Sequence, residues 1–336
     1  MKRLISICIV VSLAFLGCEE RLTSPPNFNL GANTINSTHP NFNIKNPGPV
    51  KINTVILPGG YCTEVKYFHA IFGPAEVNRH QTLTIDPEWV IIGGGAEVQP
   101  SPGVPGAIPG AFLTESRPDF ANNAWVASSK SHGGSGSHYL NITAIGLRVT
   151  AGLYMGASAL RSVMQYKAVT GAVAPHPTAT VTLDPGYTLL GGGACDNYEV
   201  AGPFAAGNLL VSSFPLNNTT WSASGKDHKY ASSSSITAYA IGIQSSLVNT
   251  LIKVTAQYVP SGFGYAPQIV PDAGYVVSCP GGATSYNGFG RMLRDIIIPT
   301  DTDTQSVNVI SKDHFESDSG NVYGYMIQFK DTGFCL

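Results

Sequence analysis

The sequence predicts an all-β protein built from three tandem units. Short runs rich in Val, Ile, Thr and Tyr alternate with clusters of Gly, Pro and Asn, which is the pattern of strands and turns. The chain also repeats itself. "TLTIDPEWVIIGGGA" (82–96) returns as "TVTLDPGYTLLGGGA" (180–194) and, with more changes, as "QIVPDAGYVVSCPGGA" (268–283). Similarity that recurs in a fixed order indicates a repeat architecture.

Each unit is about 90–100 residues long and holds enough candidate strands for a small antiparallel sandwich. We place the units at residues 50–147, 148–243 and 244–336. The three units could instead pack around a pseudo-threefold axis as a β-prism, and the sequence leaves both arrangements open. Residues 157–168 come nearest to a helical period, but we predict a strand there.

A cluster of glycines recurs in every unit, as Gly93 to Gly95, Gly191 to Gly193, and Gly281 with Gly282. A phosphate-binding loop would need a helix directly after the glycines. Neither a helical period nor a Lys-Ser/Thr pair follows Gly193. Glycine within a strand pattern usually marks a bulge or a close approach of two backbones. We therefore predict that these glycines shape a sheet.

Two tryptophans occupy matching places. Trp125 and Trp221 each lie five residues before a lysine, and Val307 takes that place in the third unit. An exposed sugar-stacking face would need an aromatic ring in each unit. Because valine replaces tryptophan, we predict a core position.

The most distinctive polar pattern is Lys-x-His. It occurs as Lys130-Ser131-His132, Lys226-Asp227-His228 and Lys312-Asp313-His314. On a strand, Lys and His two residues apart face the same side, and the intervening Asp faces the opposite side. One interpretation is a repeated ligand site that donates to sugar hydroxyls or to a carboxylate. The other is a strand end whose polar side chains bond a neighbouring loop. We predict no metal or other cofactor, since one His and at most one Asp per unit are too few ligands unless units share them.

Charge and motifs narrow the function classes. A net charge of −2 and a pI near 6.4 argue against a nucleic-acid partner. The chain contains no G-x-S-x-G elbow and no H-E-x-x-H pattern. We therefore predict a protein that is not an enzyme. A hydrolase whose carboxylates meet only in three dimensions is the catalytic alternative.

The N-terminus has the pattern of an export signal. Lys2 and Arg3 precede an apolar run, Ile5 to Leu16, which is shorter than the roughly 20 residues that span a bilayer. The run ends in Phe15-Leu16-Gly17-Cys18, which resembles the lipobox of bacterial lipoproteins. The resemblance implies a signal peptide at 1–17 and a lipid on Cys18. Residues 18–49, rich in Pro, Asn, Ser and Thr, are predicted to be a flexible linker.

This resemblance implies a location in the bacterial cell envelope, at the outer membrane, with the lipid as membrane partner. Whether the body faces the surface or the periplasm stays open. The three units resemble β-rich repeats of exported bacterial proteins. We predict non-catalytic recognition of a glycan or an envelope protein, with a structural envelope scaffold as the alternative.

Export also permits disulfides. Cys8 would leave with the signal peptide, and four cysteines remain after Cys18 in the chain, at positions 62, 195, 279 and 335. Four cysteines allow three complete pairings. We predict a bond between Cys279 and Cys335, because both fall in the third unit.

Overall fold

The computed structural model describes residues 55–56, 62–75, 78–100, 110–132, 138–197, 208–228, 231–299 and 305–335. The predicted signal peptide, Cys18 and the predicted linker lie outside these ranges. Within them the chain forms strands throughout apart from one short helix, so the predicted all-β class is confirmed.

The strands are named here in chain order and grouped by the repeat units of the sequence. The first unit comprises β1 (Val55–Ile56), β2 (Thr63–Ala75), β3 (Asn78–Thr84), β4 (Val90–Pro100), β5 (Ala111–Asp119), β6 (Ala124–Ser131) and β7 (His138–Val149). The second comprises α1 (Ala157–Arg161), β8 (Met164–Thr170), β9 (Thr178–Thr182), β10 (Tyr187–Asp196), β11 (Leu209–Asn217), β12 (Thr220–Lys226) and β13 (Ile236–Gln244). The third comprises β14 (Val248–Val259), β15 (Phe263–Tyr265), β16 (Val276–Thr284), β17 (Arg291–Ile297), β18 (Asn308–Asp313) and β19 (Gly320–Asp331).

The single helix corrects one prediction. Residues 157–168 were expected to form a strand, but α1 occupies Ala157–Arg161 and only the later part of the segment belongs to β8. Leu160 is the buried residue of this helical turn, and Arg161 donates to Asn123 Oδ1 at 2.7 Å. These contacts with the first unit stabilise a helix that five residues could not form alone.

The three sheets each join two units. Their strand orders are β1-β2-β7-β4-β17-β18-β15, then β3-β6-β5-β10-β13-β8, then β14-β19-β16-β11-β12-β9. Every unit gives three strands to one sheet and three to another, and the first unit adds β1 to the first sheet. All pairings are antiparallel. The three units therefore form a closed ring in which each unit shares a sheet with both of the others. The three sheets are equivalent: replacing the first unit by the second, the second by the third and the third by the first converts each sheet into another one.

Within each unit the two sets of strands face each other. In the first unit, β2, β7 and β4 pack on β3, β6 and β5, and the other units repeat this arrangement. The fold thus contains both predicted arrangements, because small sandwiches are set around a pseudo-threefold axis. β7 ends at Val149 and β13 at Gln244, slightly beyond the predicted unit boundaries.

The glycine clusters lie where the three units approach the axis. The register shifts between Ile91 and Gly93, and it shifts at the equivalent point of β10 and β16, so each strand carries a bulge. A Cβ on Gly93 would lie 1.9 Å from the backbone oxygen of Ser278. A Cβ on Gly191 would lie 2.2 Å from that of Ile92. The predicted bulge and the predicted close approach are both confirmed.

The register also shows which residue of the third unit replaces the first glycine. Cys279 pairs with Ile327 directly after the bulge, as Gly93 pairs with Ile145 and Gly191 with Ile241. Its Sγ lies 3.6 Å from the backbone oxygen of Gly192. A thiol therefore fills the axis between the two glycine strands.

The predicted core position of the tryptophans is confirmed. Trp125 and Trp221 are each 1 % exposed, and so is Val307. A Cβ on Gly94 would lie 2.4 Å from the Trp125 ring, so the middle glycine makes room for the indole. Trp125 Nε1 donates to Ser116 Oγ at 3.0 Å, and Trp221 repeats this bond with Ser213 at 3.1 Å.

The predicted disulfide is wrong. Cys335 bonds Cys62, with a Cα–Cα distance of 5.6 Å, and Cys279 is a free, buried thiol. Burial raises the pKa of the Cys279 thiol to about 11. The prediction assumed that partners belong to one unit, whereas the ring brings the first and third units into the same sheet. The bond closes 273 residues and ties the start of β2 to the end of the chain.

Among the described residues, no helix has the length and apolar character needed to cross a membrane.

Candidate functional site

The three Lys-x-His segments meet at one end of the pseudo-threefold axis. His132, His228 and His314 come from three different units, yet their ring centroids lie 4.8, 5.4 and 5.5 Å apart. The repeat predicts that the three residues are equivalent, but it does not predict that they touch. We refer to the three lysines and three histidines together as the axial centre.

The strands place the axial centre over an apolar floor. Lys130, Lys226 and Lys312 lie opposite Phe112, Leu209 and Met292 in the neighbouring strands. Those three apolar residues form a separate buried cluster with Val211. The Phe112 ring meets the His314 ring edge-on at 5.4 Å. The histidines therefore cover the end of an apolar column.

The side chains of the axial centre are buried. All three lysines and all three histidines are at most 9 % exposed. The Asp227 side chain is 18 % exposed and faces away from the axis toward a loop. This agrees with the strand geometry expected from the sequence, in which Lys and His share a side.

The histidines bond across units. His314 Nε2 donates to the backbone oxygen of His132 at 2.7 Å, which fixes the proton of this neutral ring on Nε2. The His132 ring hydrogen-bonds the backbone of His228 in turn. Each of these bonds joins two units of the ring, so the axial centre holds the units together where their strands end.

Burial favours the neutral form of His132 and of His314. It lowers the pKa of His132 to about 3 and that of His314 to about 4, and the positive charges that neighbouring His and Lys side chains can carry act in the same direction. Burial also lowers the pKa of Lys130 and of Lys312 to about 8. At neutral pH the rings of His132 and His314 are therefore uncharged.

The ammonium groups of Lys226 and Lys312 contact backbone oxygens or aromatic rings of the same chain. Lys226 Nζ donates to the backbone oxygens of Phe289 and Gly288, and it lies 4.5 Å from the centre of the Tyr286 ring. Lys312 Nζ lies 5.4 Å from the centre of the Phe263 ring. Such cation–π contacts and carbonyl bonds stabilise a partly desolvated ammonium group.

Lys130, the lysine of the first unit, interacts with a carboxylate, Asp196. The charge of Asp196 acts on Lys130 and favours its protonated form. Burial raises the pKa of Asp196 to about 7, and Ser234 Oγ donates to its carboxylate at 2.6 Å. This contact again links two units, since Lys130 belongs to the first and Asp196 to the second.

The aspartates of the second and third Lys-x-His segments, Asp227 and Asp313, accept hydrogen bonds from the backbone of neighbouring loops. Asp227 accepts from the backbone N–H of Ser232 at 3.2 Å and lies 3.1 Å from His176 Nε2. Asp313 accepts from the backbone N–H groups of Gly262 at 2.8 Å and Asp318 at 3.2 Å. Both carboxylates thus satisfy backbone donors, which is what the strand-end interpretation predicts.

One residue breaks the threefold symmetry. Phe315 has a left-handed backbone with φ of 62°, and its ring centroid lies 3.8 Å from that of His314. The same ring lies 6.1 Å from His132 and 6.2 Å from His228. The equivalent positions hold glycine and lysine, Gly133 and Lys229. Phe315 therefore covers all three histidines, and the repeat pattern contains no signal for it.

The geometry supports a structural centre. Across the described ranges, no group of three or more His, Cys, Asp or Glu side chains is arranged to hold a metal ion. The Nε2 atom of His314 bonds a backbone oxygen, and the ammonium groups of Lys226 and Lys312 lie against backbone oxygens or aromatic rings.

Glu97 and Asp295 are neighbouring carboxylates, the residue type that glycoside hydrolysis uses in pairs. Glu97 lies opposite Asp295 where β4 meets β17, and burial raises the pKa of Asp295 to about 7. Asp295 forms an ion pair with Arg294, accepts from Val98 N at 3.1 Å, and has a side chain that is only 1 % exposed. A carboxylate this enclosed cannot reach a glycosidic bond, so the pair does not favour a hydrolase.

Comparison with known proteins adds no relative. No protein-family model matches the chain, and no curated protein sequence matches it significantly.

Proposed function

We propose that the chain is a lipid-anchored lipoprotein of the bacterial outer membrane whose β body is a non-catalytic structural scaffold. The observation that carries this proposal is the burial of the Lys-x-His residues in all three units. The polar residues that the sequence repeats most faithfully are used to join the units. A ligand-binding protein with three equivalent sites would present them to solvent.

The alternative of glycan or partner recognition through these residues is less well supported. Binding a sugar hydroxyl requires donors that water can reach, because the sugar must exchange bonds with solvent for bonds with protein. In the axial centre His314 already bonds a backbone oxygen of this chain, and Lys226 bonds backbone oxygens and contacts the Tyr286 ring. Recognition would therefore have to use the outer faces of the sheets.

The anchor half of the proposal depends on the lipobox resemblance. The apolar run that ends at Cys18 and the polar linker after it suit a chain that is exported and then tethered. The disulfide between Cys62 and Cys335 suits the same location, since such bonds persist outside the reducing cytosol.

Replacing Cys18 with serine is expected to release the protein from the membrane. A diacylated cysteine holds a soluble body by about 0.8 kcal/mol for each buried methylene, and serine offers no thiol for that linkage. Metabolic labelling with an alkyne fatty acid should mark the wild type and not Cys18→Ser. Membrane fractionation should move the variant to the soluble pool.

The matched control is Cys279→Ala, which removes a buried thiol and should leave both labelling and membrane association intact. If Cys18→Ser is still labelled and still sediments with membranes, the anchor is elsewhere and the proposal fails. Protease treatment of intact and lysed cells then decides which face of the membrane carries the body.

A further inference from the structure

The third sheet ends in a long unpaired edge. β14 spans 12 residues and pairs with β19 on one side only within the described part of the chain. The other strands at sheet edges are shorter: β1 has 2 residues, β15 has 3, β9 has 5, and β3 and β8 have 7 each. A free edge is a row of backbone N–H and C=O groups ready to pair with another strand.

β14 lacks the features that usually protect such an edge. Natural edges carry charges, prolines or bulges, and β14 has no proline, an unbroken register and one charged residue, Lys253. That lysine is turned to its own chain. Its Nζ donates to Val270 O and to Asp272 Oδ1, both at 2.9 Å. The ammonium group of Lys253 therefore does not project from the edge, where it would hinder the pairing of another strand.

Several of the exposed side chains of β14 are apolar, and Asn249 and Gln257 are exposed as well. Val254 is 57 % exposed, Tyr258 is 61 % exposed, and Leu251 is 39 % exposed. Val254 and Tyr258 lie four residues apart and so share one face of the strand. Tyrosine and β-branched residues on one face are the pairs that stabilise adjacent antiparallel strands.

The first unit shows that this edge position accepts a strand. β2 is the counterpart of β14, since β2 pairs with β7 as β14 pairs with β19. On its outer side β2 is paired with β1, in antiparallel register, Val55 with Val65 and Ile56 with Glu64. No strand of the described ranges lies on the equivalent side of β14.

We propose that β14 pairs antiparallel with β14 of a second copy of this chain, so that the third sheets of two subunits form one continuous sheet. In the register centred on Val254, that residue faces its own symmetry mate. Lys253 then faces Thr255, and Tyr258 faces Thr250. In this register no two like charges face each other, because Lys253 is the one charged residue of β14 and it faces Thr255. The strand is therefore self-complementary about a twofold axis.

The test is the mass of the full exported chain, extracted in mild detergent and measured by light scattering over a range of concentrations. We expect a dimer for the wild type and a monomer for Val254→Lys, because two lysines would oppose each other at the twofold axis. The matched control is Val169→Lys, on the counterpart strand β8, where the valine is 44 % exposed. It should stay dimeric.

A second variant separates dissociation from misfolding. Val254→Cys should form a covalent dimer in cells under mild oxidation, since facing Cβ atoms in an antiparallel pair lie about 5 Å apart. Val169→Cys should not. The proposal is overturned if the wild type is monomeric at every concentration and Val254→Cys does not crosslink. A dimer that Val254→Lys leaves intact, or a monomer bound to a different protein through β14, overturns it as well.

Discussion

Replacing Gly93 with alanine is expected to prevent the protein from folding. The added methyl would lie 1.9 Å from the backbone oxygen of Ser278, which belongs to a strand of another unit. Ser278 is held in place by its own sheet, where its Oγ donates to Ile327 O at 3.2 Å. Inserting one methylene into a core usually costs about 1–3 kcal/mol, and a clash with fixed backbone costs more. Soluble yield and urea unfolding, followed by circular dichroism, measure the effect.

Two comparisons give this prediction its controls. Gly191→Ala should behave in the same way, because its methyl would lie 2.2 Å from Ile92 O in the equivalent place. Gly288→Ala should change little, since its methyl would lie 3.7 Å from the nearest atom. Wild-type stability in Gly93→Ala would mean that the three bulged strands do not approach each other at the axis.

Removing the disulfide is expected to have the second largest effect. The double variant Cys62→Ser with Cys335→Ser frees a loop of 273 residues. In the chain-entropy treatment a loop of this size stabilises the folded state by up to about 5 kcal/mol. The bond also ties the first unit to the third, so its loss loosens the ring where the chain closes. Equilibrium unfolding in urea should show a lower midpoint and a steeper slope, because the unlinked unfolded chain exposes more surface to denaturant.

The control for the disulfide is Cys279→Ala, which removes a cysteine without opening a loop. It should cost about 1–2 kcal/mol, since the lost sulfur leaves a small cavity at the axis. If the double serine variant unfolds at the wild-type midpoint, the bond between the two ends of the chain is absent in solution.

Much of the fold follows from local patterns. Strand propensity and the threefold repeat predict the class and the order of elements, because both depend on residues close in sequence. The glycine clusters predict the bulges for the same reason. The Val at position 307 reveals the core location of Trp125 and Trp221, since a core position tolerates a change of apolar side chain.

The disulfide, the contact between the histidines and the position of Phe315 depend on how the three units pack together, and short sequence patterns do not predict that packing. Half of each sheet comes from a neighbouring unit, so the bond between Cys62 and Cys335 could not be told from the alternatives. The same exchange brings His132 against His228 and places Phe315 over both. α1 was missed because its five residues are stabilised by contacts with the first unit and not by a helical period.

The most direct test of the structural role of the axial centre is equilibrium unfolding of the double variant His228→Ala with His314→Ala. The account predicts a loss of about 4 kcal/mol or more, because the variant opens cavities beneath Phe315 and leaves the backbone oxygen of His132 without its donor. His176→Ala, which alters an exposed imidazole, should unfold like the wild type. Unchanged stability of the double variant would contradict the account, since it would mean that these histidines are free in solution to bind a ligand.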